Sequence, residues 1–165
     1  MNPISSQFNE ADATVLLVDD EAMVLDSLKA FLELETDYRV EAFVSAEEAL
    51  KFATDNEVDL AVSDFLMPGL SGIEFLGKLA EIRPHAPRIL LTGYADKDSA
   101  IRAINELGLF QYIEKPWNND DLLIVLRNAL DRRFLFKALQ KKIAEIDKAE
   151  GKLSGLQKDI LRTFI

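Results

Sequence analysis

Apolar and polar positions follow two rhythms along this chain. A short, continuous apolar run with β-branched residues at 14–18 (TVLLV) reads as a strand buried on both faces of a sheet. Residues 38–43, 58–62 (VDLAV), 88–91 and 109–113 read as four further strands. Between them, apolar residues recur at helical spacing, as Val24, Leu25, Leu28, Phe31 and Leu32 do within 22–34. Ser45 opens a Ser-Ala-Glu-Glu capping box with Glu48, and that helix runs to about Thr54. A helix over 73–82 is closed by Pro84 and Pro87. Asp96 or Asp98 begins another that ends at Leu107, with Gly108 in the C′ position. Asn118 or Asn119 caps the last, with Asp120 and Asp121 in its first turn. Residues 1–12 are polar and aperiodic and read as a loose lead-in. Five strand–helix repeats predict an α/β fold: a doubly wound, five-stranded parallel sheet of order 2-1-3-4-5, with helices on both faces.

In such folds ligands bind at the carboxyl ends of the strands, near the switch point of strand order. The strand ends carry Asp19-Asp20, Ser63-Asp64, Thr92-Gly93 and Glu114-Lys115-Pro116. Clustered carboxylates repel one another, and a hard cation such as Mg²⁺ relieves this at an all-oxygen site. A carboxylate can also accept a phosphoryl group, a transfer that depends mainly on positioning and charge neutralisation. Lys115 offers a point charge for phosphoryl oxygens, Thr92 a hydroxyl donor, and Gly93 leaves room for entry. Singly, an Asp-Asp pair reads as a helix cap and a strand-end Thr as a strand former. Their joint placement gives the signal its specificity.

Composition narrows the class further. The 165 residues suffice for one domain with an appendage, and the absence of cysteine excludes disulfides and thiolate metal sites. No apolar run approaches the roughly 20 residues that span a bilayer. The N-terminus lacks a signal-peptide layout, so no membrane association and a cytoplasmic location are expected. The net charge of −10 is uneven: Arg132 to Ile165 carries nine Lys/Arg and four Asp/Glu, leaving −15 on residues 1–131. An acidic body argues against direct nucleic-acid binding.

Four fingerprints together resemble the receiver domain of two-component response regulators over about residues 13–132. They are Val18-Asp19-Asp20-Glu21; Asp64-Phe65-Leu66-Met67-Pro68 with Gly72 following; Leu91-Thr92-Gly93; and Tyr112 shortly before Lys115-Pro116. The resemblance implies that Asp64 is the phosphoacceptor. It implies Mg²⁺ held by Asp19, Asp20, Asp64 and a main-chain carbonyl at Leu66, with Thr92 and Lys115 contacting the phosphoryl group. It implies a Thr92–Tyr112 switch that alters the face of the fourth helix, fifth strand and fifth helix, and a cis Lys115–Pro116 peptide. The donor would be a sensor histidine kinase or phosphotransfer protein. The chain would catalyse its own phosphorylation and dephosphorylation without being a turnover enzyme.

Two alternatives share the fold. A Mg²⁺-dependent aspartyl-phosphate phosphatase resembles its family in an Asp-x-Asp-Gly-Thr stretch, where this chain reads Asp19-Asp20-Glu21-Ala22-Met23. An FMN-binding, flavodoxin-like protein needs a neutral Gly/Ser/Thr-rich loop after the first strand.

The helical pattern continues past Arg132. Leu122, Ala129, Phe136 and Ile143 take heptad position a, and Val125, Arg132, Leu139 and Ile146 take position d. Ala149, Leu153, Leu156 and Ile160 continue the seam with a three-residue offset. Residues 133–165 therefore read as a helical extension, a coiled coil joining two copies in parallel or a linker to an unknown output domain. Trp117 reads as a packing residue, His85 as an exposed loop residue, and Tyr112 in its own right as a strand aromatic.

Overall fold

The computed structural model describes residues 9–164, without the side chains of Leu153 and of 157–164. Five parallel strands form one sheet in the order β2-β1-β3-β4-β5. They are β1 (Thr14–Val18), β2 (Arg39–Phe43), β3 (Leu60–Asp64), β4 (Arg88–Thr92) and β5 (Gln111–Glu114). The helices are α1 (Ala22–Glu35), α2 (Ala46–Asp55), α3 (Gly72–Ile82), α4 (Lys97–Leu107) and α5 (Asn119–Phe164). This is the expected doubly wound α/β architecture with a long last helix.

The alternation of side chains along the strands divides the core between the two faces. Val15, Leu17, Val62 and Leu91 pack with α1 (Leu25, Leu28, Leu32) and α5 (Leu122, Leu126, Ala129). Leu16, Val18, Ala61 and Leu90 pack with α2 (Ala49, Ala53), α3 (Phe75, Leu76, Leu79) and α4 (Ala100, Ala103). The central strands β1, β3 and β4 are wholly buried, while β2 and β5 form partly exposed edges. A continuous apolar run is what a strand covered on both faces requires.

Local chemistry sets the helix ends. The Ser45 hydroxyl accepts from the Glu48 N–H and donates to the Glu47 carboxylate, so half of the expected capping box forms. Asn118, not Asn119, caps α5, accepting from the N–H groups of Asp120 and Asp121. Gly108 ends α4 in the left-handed region (φ 67°), where a glycine carries no Cβ penalty. A 3₁₀ turn over Tyr94–Asp96 precedes α4, and Asp96 makes no side-chain cap bond. Ser71, unremarked in the sequence, caps α3 by accepting from the Glu74 N–H.

Three strands begin later than expected. β3 starts two residues later than the 58–62 run and continues through Asp64. β2 and β5 begin at Arg39 and Gln111, not at 38 and 109. Tyr38, Val58 and Leu109 are nevertheless buried, so apolar content alone overran the ladder. Of the expected lead-in, residues 1–8 lie outside the described residues, whereas Glu10–Asp12 form a 3₁₀ turn capped by Asn9. Glu10 pairs with Arg127 at 3.8 Å and accepts from the Asp37 N–H, fastening this segment to the body.

The 46 residues of α5 span roughly 70 Å. Its first turns are core: Leu122, Leu123, Leu126, Ala129 and Leu130 are buried. The early heptad positions Leu122 and Ala129 thus face their own sheet, and the coiled-coil reading is corrected there because the same helix face must first cover the domain. Arg132, the poor seam residue, lies over the Phe110 ring at 5.8 Å. From Phe136 onward the apolar stripe emerges, with Leu139, Ile143 and Ile146 more than half exposed. The continued seam at Leu153 and Ile160 lies outside the described side chains.

Candidate functional site

Parallel registration of β1, β3, β4 and β5 brings their carboxyl ends to one edge. Asp19 follows β1 directly, Asp64 is the last residue of β3, and Thr92 is the last of β4. Lys115 follows β5, and its N–H donates to the Thr92 carbonyl at 2.8 Å, which fixes it beside β4. The Lys115–Pro116 peptide is cis.

Asp19, Asp20 and Asp64 each offer a carboxylate oxygen within 4.8 Å of the others. Asp19 and Asp64 are buried and Asp20 is exposed. The Lys115 ammonium lies 2.9 Å from Asp64 Oδ1 and 3.4 Å from Asp19 Oδ2. Backbone groups orient the carboxylates: the Glu21 N–H donates to Asp19 Oδ1 and the Phe65 N–H to Asp64 Oδ1, both at 2.9 Å.

Burial pushes the Asp19 carboxyl above its ordinary range and Asp64 adds to the effect, against the Glu21 N–H and Lys115. Burial disfavours the Lys115 ammonium, but its hydrogen bond to Asp64 and the charge of Asp19 hold its pKa above the usual value. Three carboxylates against one ammonium leave a deficit of positive charge. The donors are all hard oxygens gathered within one ion's reach, which fits a small divalent cation.

Gly72 is required by close approach. A Cβ there would stand 1.9 Å from the Asp64 carbonyl oxygen, and the Gly72 N–H donates to the Phe65 carbonyl at 2.9 Å. The start of α3 thus braces Asp64, the last residue of β3, and Phe65 after it. At Gly93 a Cβ would meet nothing nearer than Asp96 Oδ2 at 3.9 Å, so the protein's own packing does not demand glycine there.

Not every expected residue converges. The Thr92 hydroxyl donates to the Gly93 carbonyl at 3.2 Å instead of turning to Asp64. Tyr112 is half-buried and packs with the α2/α3/α4 core. Leu66 and Tyr94 stand exposed beside the site. The Phe65 and Glu21 N–H groups were not foreseen, because backbone donors carry no side-chain signal. An open groove of about 680 Å³ adjoins the site, lined by Met23, Val24, Ser27, Lys115, Pro116 and Trp117. Trp117 packs against the α1/α5 core and donates from Nε1 to Asn119, matching its reading as a packing residue.

This fold with this acidic pocket defines a receiver-type protein. The family model for the response regulator receiver domain matches residues 15–127. The chain belongs to that family, the receivers of two-component response regulators. It is 39% identical over 127 residues to the hydrogenase transcriptional regulatory protein HoxA of Cupriavidus necator, covering 77% of this chain and 26% of that protein. It is 34% identical over 125 residues to the C4-dicarboxylate transport transcriptional regulatory protein DctD of Rhizobium meliloti, covering 76% of this chain and 27% of that one. It therefore spans about a quarter of the length of each. A response regulator receiver domain protein from Clostridium thermocellum superimposes with a TM-score of 0.71 at 38% identity, covering 75% of this chain and 98% of that one. No described helix is long and apolar enough to cross a membrane.

Proposed function

We propose that this chain is a phosphorylation-controlled switch in which Asp64 accepts a phosphoryl group from a sensor histidine kinase or phosphotransfer protein. An Asp64 carboxylate oxygen forms the new O–P bond while the donor's P–N bond breaks, its electron pair returning to the imidazole nitrogen. Asp19, Asp20, Asp64 and the Leu66 main-chain carbonyl would hold Mg²⁺, which would neutralise charge on the transferring group. Lys115 pairs with the phosphoryl oxygens as a point charge. Thr92 gives up its bond to the Gly93 carbonyl and donates to the phosphoryl group instead. Tyr112 then moves into the space that Thr92 vacates, and the α4–β5–α5 face changes its partner preference.

The observation that carries this reading is the Asp64 carboxylate held 2.9 Å from Lys115 and within 4.8 Å of two further carboxylates. Residues 13–132 form the switch unit and 133–165 its helical extension. In the same reading Phe136, Leu139, Ile143 and Ile146 pair two copies in parallel. An output domain or a separate partner reads the switch in the cytoplasm, and the relatives' names as transcriptional regulators support an output of that kind. Self-catalysed transfer and hydrolysis, without turnover of other substrates, complete the reading.

Intact mass after incubation with acetyl phosphate and Mg²⁺ tests this. The native chain gains one phosphoryl group. Asp64→Asn gains none, nor does the native chain without Mg²⁺. A native chain that stays unmodified with acetyl phosphate and with a phosphorylated histidine donor refutes it.

A further inference from the structure

Resting on the proposed pairing of α5, we infer that the first layer of the paired helices is built into the globular body. A groove of about 330 Å³ lies where α5 leaves the domain. Its helix side is formed by Arg132, Leu135, Phe136 and Leu139, and its body side by Pro84, His85, Pro87 and Phe110. The groove receives Phe136 of a second copy, and by two-fold symmetry each copy fills the other's groove.

The heptad register identifies the occupant. With Phe136 and Ile143 at a and Leu139 and Ile146 at d, the four helix-side residues stand at d, g, a and d. Four residues so arranged make a hole for a side chain of a facing helix, and in a parallel pair the one that enters at this level is the partner's a residue. That residue is Phe136 again. The groove is roomy enough, since a cavity of about 150 Å³ already holds a benzene ring. Arg132, the polar d residue, lines the groove with its guanidinium over the Phe110 ring, 5.8 Å from its centroid. The body closes the hole from outside: the His85 ring lies 4.6 Å from the Phe136 ring, centroid to centroid, while His85 itself is exposed.

Charge selects a parallel second copy. In the same register Lys142 is a g residue and Asp147 the e residue of the next heptad. These positions meet across a parallel, in-register pair, and two-fold symmetry makes the attraction twice. Leu135 and Gln140, the corresponding pair one heptad earlier, carry no charge to oppose it. An antiparallel pair would carry the two bodies to opposite ends of the seam and leave both grooves without Phe136. The body is thus part of the pairing surface, and the α3–β4 loop is buried when two copies join.

Sedimentation equilibrium on the full chain, untreated and treated with acetyl phosphate and Mg²⁺, tests this together with the NMR resonance of His85. Ile143→Asp, in the seam away from the body, abolishes the dimer. His85→Glu, which touches only the groove wall on the surface of the body, weakens it by about tenfold or more. The His85 ring resonance moves with protein concentration along the dimerisation curve. A dimer that Ile143→Asp abolishes, but that His85→Glu changes by less than about twofold while the resonance stays fixed, overturns the groove and leaves helix pairing intact. A chain that stays monomeric in both states removes pairing and the groove together.

Discussion

Asp59 and Asp64 stand at opposite ends of β3, both buried, in opposite electrostatic settings. At the amino end, Asp59 Oδ2 accepts from the Thr14 N–H at 2.9 Å. Its other oxygen pairs with Lys137 and lies 3.9 Å from Arg133, with Glu57 also paired to Lys137. Two cations meet two anions, and the charge closes on itself. At the carboxyl end, Asp64 shares one ammonium, Lys115, with Asp19, and Asp20 stands close by. The first arrangement is a fastening for α5. The second leaves three carboxylates against one ammonium. A buried aspartate is structural or chemical according to whether its neighbours already balance it.

Breaking the balanced end should cost most. Asp59→Ala leaves Lys137 and Arg133 facing each other without their buried anion, and we expect a loss of about 3–5 kcal/mol in urea unfolding. If stability is unchanged, the cluster does not fasten the helix. The two halves of α5 sharpen the same point. Leu126→Ala, in the buried half, should destabilise the monomer by about 2–5 kcal/mol, whereas Ile143→Ala, on the exposed stripe, should stay within about 0.5 kcal/mol. Comparable losses in dilute, monomeric samples would mean that the stripe folds back on the body.

At the chemical end, Gly72→Ala forces a methyl group against the Asp64 carbonyl. We expect about 1–3 kcal/mol of destabilisation and markedly slower phosphoryl uptake from acetyl phosphate, because the backbone carrying Asp64 must move. Uptake at the native rate would show that the brace does not set the geometry.

The smallest effect belongs to pH. The hydrogen bond from Lys137 holds the Glu57 carboxyl below its usual 4.5. Its stabilising contribution is therefore complete above that value and lost as pH falls through the lower, folded-state pKa. Glu57 is largely exposed, so the contribution is about 0–1 kcal/mol. Glu57→Gln should lower the neutral plateau by that amount and leave the acid end unchanged, flattening that part of the stability curve.

The sequence and the structure agree best where period and chemistry reinforce each other. Wholly buried strands such as Thr14–Val18 announce themselves as apolar runs, and the residues at their ends then locate the pocket. Asp64 was legible because a motif surrounds it. Asp59 was not, because its partners Arg133 and Lys137 lie far along the chain and only the packing of α5 brings them together. The α5 heptads misled for a related reason. One period serves both burial against a sheet and pairing with a helix, and periodicity does not say which surface arrives first. Thr92 stands at the end of its strand, yet the partner of its hydroxyl, the Gly93 carbonyl, depends on a rotamer that residue type does not encode.

The central claim is that Asp64 itself carries the phosphoryl group. Borohydride reduces an aspartyl phosphate to homoserine and releases phosphate, so the modified position can be read from peptide masses. After treatment with acetyl phosphate and Mg²⁺, homoserine should appear at Asp64 and at no other aspartate. Homoserine at Asp19 or Asp20, or phosphoryl incorporation that leaves Asp64 unconverted, would contradict it.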